Sequence, residues 1–345
     1  RREKGGFCLA TIADVAKRAG LSRATVSRVL NNHPNVTEDK KRLVREAMES
    51  LKYVPNTTAQ RLRNQRTDTI AILVPVLTNP FFAYLLEAMD MVATKNHLQL
   101  LICQTRYSKQ KEMDFLELLR TKQVDGLILT SYENEWKKIE PYSAFGPMVL
   151  CNEYERNTKV PIIRMDQFEA SYIGTRHLIE QGHIRIACTC GDKSNLAKDR
   201  QAGYRKALVE AGISVQEDWI FSNVFDIEDG KRVLRTIMNL KEAPTAVFTG
   251  SDQVAAGMIM AAKALGKNVP DDIAIIGFDD QPIARVVEPA LTTIRQPIEE
   301  LGKTAMEVMI DFIAFKKEVN HQEILLPYDL VIRDSTMSKL KSISI

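Results

Sequence analysis

Eight short apolar runs, rich in β-branched residues, recur from Thr69 onward: Ile70–Val76, Leu98–Cys103, Gly126–Thr130, Met148–Cys151, Pro161–Met165, Ile184–Cys190, Thr245–Thr249 and Ile273–Phe278. None shows the polar alternation of a half-exposed strand, so each reads as a strand buried on both faces. Helical segments separate them, and this alternation specifies parallel sheet in an α/β fold. Eight strands are too many for one modest sheet. The expected body is therefore two doubly wound parallel-sheet subdomains, which bind ligands outside the carboxyl ends of their strands. A length of 345 residues leaves room for a further small domain.

That domain is all α-helical and lies at the front. In TIADVAKRAGLSRATVSRVLN, Thr11 to Asn31, Ile12, Val15 and Ala16 recur at helical spacing. Val26, Val29 and Leu30 repeat the pattern after a break at Gly20, which suits a left-handed helix end. Ser22 can cap the second helix by accepting free N–H groups. The result is a helix-turn-helix, whose second helix can enter a DNA major groove. Arg23 and Arg28 lie on that helix, with Ser22, Thr25 and Ser27 as short hydrogen-bonding groups and Ala24 leaving room for a base. An ordinary helical hairpin with a solvated basic face is the alternative. A third helix is expected from Thr37 to Lys52, after a turn-rich loop in which His33 is a loop residue.

Charge separates the two parts. The first 66 residues carry 15 Lys+Arg against 6 Asp+Glu, a balance of +9; the remainder carries 32 against 38, or −6. A basic head on an acidic body is the footprint of a nucleic-acid-binding module attached to something else.

At these residues the chain resembles the LacI/GalR family of bacterial transcription regulators. TIADVAKRAG, LSRATVSRVLN, YVPNTTAQRL and, far downstream, IAIIGFDD and PALTTIRQP occur in the family's order over almost the whole chain. Residues 1–10 (RREKGGFCLA) lie outside the resemblance; the lack of an initiating Met suggests trimming or an internal start. The resemblance implies a periplasmic-binding-protein-like body and a hinge helix that pairs with its twin in the DNA minor groove. It also implies DNA contacts from Thr11, Ser22, Arg23, Ala24, Thr25, Ser27, Arg28 and Asn31, and from Tyr53, Asn56, Thr58, Ala59 and Leu62. Leu62 would wedge into the central base step, at a cost of a few kcal/mol offset by contacts with bent DNA. On its own, Pro55 followed by Asn56 reads as a boundary and the cap of a helix too short to be stable alone.

The organisation expected is an extension over 1–10, the helix-turn-helix over 11–54, a hinge over 55–67, the body over 68–335 and a tail over 336–345. In the body the resemblance implies three crossings, near Met165–Gln167, Gln296–Ile298 and Glu323–Leu325. One subdomain then takes 68–166 plus 298–323, and the other 167–296 plus 324–335.

Signals for catalysis are weak. There is no GxGxxG, Walker loop, GxSxG elbow or HExxH spacing, and Asp279-Asp280 comes without a nucleophile. The five cysteines, Cys8, Cys103, Cys151, Cys188 and Cys190, form no CxxC pair and read as buried thiols of a reducing cytoplasm. No cofactor and no metal are expected. No run of about twenty apolar residues exists to span a membrane.

A solute pocket between lobes needs apolar walls and a few placed polar groups. The strand ends supply Asn79, Phe81 and Phe82, then Asn152, then Ser251 and Asp252, then Asp279; Arg200 and Phe225 lie between. These positions match the family's effector pocket, with Arg200 and Asp279 able to make charged contacts to hydroxyls. Singly, each has a plainer reading: Phe81 and Phe82 as core, Arg200 as a surface ion pair, Asp252 as a helix cap. A sugar or phosphorylated sugar is the effector expected.

LELLRTKQVDGLILTS and FGPMVLCNE read like the family's catabolite-control branch. That implies a palindromic, cre-like operator and a cytoplasmic homodimer, with Arg23 a departure affecting one base. It also implies the phosphocarrier protein HPr as a partner. However, in GKTAMEVMIDF, where that branch carries basic side chains, Glu307 and Asp311 stand, and carboxylates repel phosphate. Lys303 and Arg333 remain nearby. A solute-binding protein or sugar-acting enzyme with an incidental basic head is the rival reading; non-specific architectural DNA binding is a third.

Overall fold

The computed structural model describes residues 10–30, 33–54, 66–191, 194–315 and 323–337. It divides into two compact units, 1–66 and 67–345. Asn31, Asn56, Thr58, Ala59 and Leu62, and with them the hinge helix, lie outside the described residues.

The first unit holds α1 (Ile12–Ala19), α2 (Arg23–Leu30) and α3 (Glu38–Ser50). Thr11 and Asp14 form a reciprocal capping box, Asp14 N donating to Thr11 Oγ1 and Thr11 N to the Asp14 carboxylate. Gly20 ends α1 at φ +66°, where a Cβ would be strained. Val15, Ala16, Val26, Val29, Val44 and Ala47 close a small core between the three helices. Helix α3 is shorter than expected at both ends, and Thr37 precedes it without a side-chain cap bond.

The second unit begins with β1 (Thr69–Val74), α4 (Pro80–Lys95), β2 (Gln99–Gln104), α5 (Lys109–Arg120), β3 (Gly126–Leu129), α6 (Trp136–Ile139), β4 (Met148–Cys151) and β5 (Ile162–Arg164). It continues with α7 (Gln167–Glu180), β6 (Ile186–Thr189), α8 (Asn195–Glu210), β7 (Ile220–Phe221), α9 (Ile227–Met238), β8 (Ala246–Phe248), α10 (Asp252–Ala264) and β9 (Ala274–Asp279). Then come α11 (Ile283–Val286), β10 (Thr292–Arg295), α12 (Ile298–Phe315), β11 (Glu323–Leu325) and β12 (Asp329–Val331).

Two six-stranded sheets result, ordered β11-β5-β4-β3-β1-β2 and β12-β10-β9-β8-β6-β7. Every pairing is parallel except β10 with β12. The central strands are covered on both faces, which is why they read as unbroken apolar runs. The run Leu98–Cys103 is a correction, because β2 is an edge strand and leaves Gln99, Leu101 and Ile102 exposed. In β1, Ile70, Ile72 and Val74 enter one core with Leu85, Met89, Met306 and Met309, while Ala71 and Leu73 enter another with Leu116, Leu127 and Leu150.

The chain leaves the first sheet after β5, returns through α12, and leaves again after β11. That last passage is a correction to the expected boundary. Glu323–Leu325 pair with Ile162–Arg164 and Leu326 N still donates to Arg164 O (2.9 Å), so 324–326 belong to the first lobe, and the crossing falls at 327–328. The second lobe also extends past 335: Thr336 is buried and bonds to His177 and Thr292, each at 2.8 Å. Among the described residues, no helix is long and apolar enough to cross a membrane.

Candidate nucleic-acid interface and effector cleft

In the head, Ser22 Oγ accepts from Thr25 N (3.1 Å) and shares a hydrogen bond with Thr25 Oγ1 (3.0 Å), so Ser22 both starts α2 and orients Thr25. Val26 and Val29 fix one face of α2 in the core. The opposite face then presents Ser22, Arg23, Ala24 and Arg28 to solvent, with Thr25 and Ser27 half-buried at its edges. Tyr53 packs against the head core rather than standing free. Thr11 is occupied with its capping box. The exposed side of α2 thus carries two guanidinium groups and short polar side chains on a rigid helix, a form that fits base edges in a major groove.

In the body, a hydrogen-bonded chain runs across the two lobes. Asn79 caps α4, its Oδ1 accepting from Phe81 N (3.0 Å), and that oxygen also accepts from Gln281 Nε2 of the other lobe (3.3 Å). Gln281 Nε2 donates to Asp279 Oδ2 (2.8 Å), and Gln296 Nε2 donates to Asp279 Oδ1 (2.6 Å). Gln296 Oε1 accepts from Gln167 Nε2 (3.4 Å), and Gln167 Oε1 accepts from Arg200 Nε (2.8 Å). Arg200 also donates to Gly250 O (2.7 Å), with its guanidinium 3.6 Å from the centre of the Phe278 ring. A second bridge between the lobes pairs the Tyr107 and Phe225 rings, 5.8 Å apart.

The nine expected pocket residues are not equivalent. Asn79, Arg200 and Asp279 belong to the cross-lobe chain. Phe225 is exposed on the second lobe at the Tyr107 contact. Asn152 follows β4 in a left-handed conformation, φ +73°, and its buried Oδ1 has no hydrogen-bond partner among the described residues. Phe81 and Phe82 pack edge to face in the first-lobe core, as the plainer reading of each has it. Ser251 is the helix cap, accepting from Val254 N (3.3 Å). Asp252 stands one residue inside α10, and both its oxygens are engaged. Oδ2 accepts from Gln281 N (2.6 Å) and Oδ1 from Thr293 Oγ1 (2.6 Å), so Asp252 shapes the loop after β9.

Three glutamines, Gln167, Gln281 and Gln296, escaped the sequence reading. Each follows a strand end by one to three residues, but glutamine carries neither charge nor ring.

Burial pushes the Asp279 carboxyl up to about 6, against the opposing pull of Arg200 and the bonds from Gln296 and Gln281. Burial, together with the neighbouring Asp279 charge, raises Asp252 as well. Asp280 goes the other way: burial is outweighed by hydrogen bonds from Arg295 (2.7 Å) and Arg333 (2.6 Å), and it stays below the usual range. The adjacent carboxylates therefore divide: Asp279 faces the polar network, and Asp280 locks the C-terminal segment. A separate polar cavity of about 310 Å³ opens beside the first crossing, lined among others by Tyr154, Arg164, Asp199 and Glu323. None of the nine expected residues lines it.

Among the described residues, no group of His, Cys, Asp and Glu is arranged to hold a metal ion. Cys103, Cys151, Cys188 and Cys190 are free and buried.

A helix-turn-helix unit with a basic exposed face, followed by a two-lobed α/β body with a polar network across its lobes, defines a ligand-responsive DNA-binding regulator. Residues 11–56 match the lacI family of bacterial regulatory proteins, and residues 67–334 match the periplasmic binding proteins and sugar binding domain of the LacI family. The chain belongs to the LacI family. It is similar to the NTD biosynthesis operon regulator NtdR of Bacillus subtilis, 45% identical over 94% of this chain and 99% of that one. Catabolite control protein A of Priestia megaterium is 33% identical over 94% and 99%. Among solved structures, the lac repressor dimer bound to operator and the anti-inducer ONPF superimposes with a TM-score of 0.86 at 26% identity, over 96% of this chain and 100% of that one. The protein is a LacI-family DNA-binding transcriptional regulator with an effector-binding body. The relatives are regulators, not enzymes.

Proposed function

We propose that the chain is a cytoplasmic, homodimeric repressor of carbohydrate or catabolite-controlled genes, whose operator affinity is set by a sugar or phosphorylated sugar in the cleft of the body. Arg23 and Arg28 read base edges of a palindromic, cre-like site, with Ser22, Ala24, Thr25, Ser27 and Asn31 completing the major-groove contact. Thr11, Tyr53, Asn56, Thr58 and Ala59 position the head and hinge, and Leu62 opens the central step. The observation that carries the effector reading is the Asn79–Gln281–Asp279–Gln296–Gln167–Arg200 chain, which joins the lobes through groups suited to hydroxyls. Asn152 supports it, because an unpaired buried carbonyl costs roughly 1–3 kcal/mol and a ligand hydroxyl would satisfy it.

The phosphocarrier HPr is disfavoured as a partner. Glu307 and Asp311 are exposed on α12, and Lys303 on the same helix is tied to Glu299 (2.5 Å) and Glu300 (3.6 Å). Arg333 is engaged by Asp280. A phosphorylated protein would meet carboxylates first.

A thermal-melt screen of the full chain against sugars, sugar phosphates and phosphorylated HPr tests the proposal. A ligand at about 100 times its Kd adds roughly 2.7 kcal/mol, a shift of a few degrees for a domain of this size. The expected result is a small-molecule shift that vanishes in Asp279→Ala. A shift from phosphorylated HPr alone would overturn the reading of Glu307 and Asp311.

A further inference from the structure

Thr67 and Asp68 are the first residues of the body, and the strand ladder of β1 starts only at Thr69. They are held instead by one carboxylate. Asp125, in the turn before β3, accepts from Thr67 N (2.7 Å) and Thr67 Oγ1 (3.0 Å) with Oδ1, and from Asp68 N (2.7 Å) with Oδ2. Bonds from N–H groups to an ionised carboxylate are the stronger kind, and two consecutive amides on two oxygens fix direction as well as distance.

The surrounding bonds brace this clamp. Asp125 N donates to Thr69 O (2.8 Å), Gln99 N donates to Asp68 O (2.8 Å), and Thr69 Oγ1 donates to Thr67 O (3.1 Å). Asp68 takes a left-handed conformation, φ +51°, so the chain turns sharply where it is gripped. The residue after Asp125 is Gly126, packed so closely on Met309 of α12 that an added Cβ would overlap the methionine sulfur. Helix α12 begins two residues after Gln296, the partner of Asp279. The turn that holds the root of the linker is thus seated on the helix that leads out of the cleft network.

We propose that Asp125 is a positioning residue for operator binding: by clamping Thr67 and Asp68 it fixes where and in which direction the linker leaves the body. A chain whose root is already fixed loses less conformational freedom when the segment beyond it is held in a complex. The inference rests on the reading of the chain as an operator-binding regulator. It concerns specific binding only, because a loosened root leaves the cationic head free to hold phosphates anywhere.

The test compares the full chain with Asp125→Ala, Asp125→Asn and Thr67→Val. One duplex is recovered by the wild type from a random pool, and one is a mixed-sequence control at the same salt. Amide exchange at Thr67 and Asp68 is followed in parallel. Asp125→Ala should speed that exchange and weaken specific binding by about tenfold or more, with non-specific binding changed by less than about twofold. Asp125→Asn, which keeps one acceptor, should fall between, and Thr67→Val, which loses one bond, should be mildest. These two variants carry the test if the alanine variant does not fold. Faster exchange with an unchanged ratio of specific to non-specific affinity would overturn the proposal and leave the clamp a strand-end fastening. A wild type that recovers no preferred sequence would instead defeat the operator reading, while the exchange measurement would still report whether Asp125 holds the root.

Discussion

Asp279 combines burial, two glutamine donors and a nearby guanidinium, and its titration follows from that setting. Its carboxyl is pushed up to about 6 when folded, above the roughly 3.9 of an unconstrained aspartate. A group with a raised folded value binds its proton more tightly in the native state. Its favourable contribution is therefore complete below about pH 4 and is lost as pH rises through about 6. Asp252, raised in the same direction, adds to the trend. Replacing Asp279 with Asn removes the ionisation, so its melting temperature relative to wild type should climb between pH 4 and 7, by the equivalent of about 1–3 kcal/mol. A difference that stays flat over that range would show that Asp279 is not protonated in the folded chain. On the head, Arg28→Ala should cost roughly 1–3 kcal/mol of operator affinity and relax one base position. Unchanged affinity and sequence preference in a binding titration would remove Arg28 from the interface.

Among the elements, α7 and α8 lie so close that Gly203 of α8 leaves no room for a Cβ against the backbone at Phe168 and Tyr172. Gly203→Ala should therefore force the helices apart and lower stability by about 1–3 kcal/mol, read as a drop in melting temperature. A melting temperature equal to wild type would show that the pair gives way without cost. Elements with long apolar runs were legible: the strands around Ile72, Leu150, Val247 and Ile275 are buried on both faces and carry no competing pattern. Four strands were not. β10 is Thr-Thr-Ile-Arg, buried but without an apolar run; β7 has two residues, and β11 and β12 have three each with exposed positions. Pairing with a neighbour, not their own sequence, makes these segments strands. The hydrogen-bonded chain across the lobes was legible where charge at or near a strand end marked it, as at Asp279 and Arg200. It was illegible where the bonding group is a neutral glutamine, and the plainer reading of Phe81 and Phe82 as core matches their burial.

For the molecule as a whole, LacI-family regulators act as dimers, because one helix-turn-helix reads only a half-site. On the side of the first sheet that α4 covers, Tyr84 and Met91 of α4 and Ile102 of the edge strand β2 are more than a third exposed. A charge placed there should separate the protomers: Ile102→Asp is expected to sediment as a monomer and to bind operator far more weakly. A dimer that persists would place the contact elsewhere. Specific recognition of DNA by the intact chain is the claim on which the other roles depend. Its most direct test is a titration of the full chain, at one salt concentration, against a duplex recovered by selection and a scrambled duplex of equal composition. A preference of roughly 10³-fold or more for the selected duplex is predicted. Equal affinity for the two would contradict it and make the head a non-specific DNA binder.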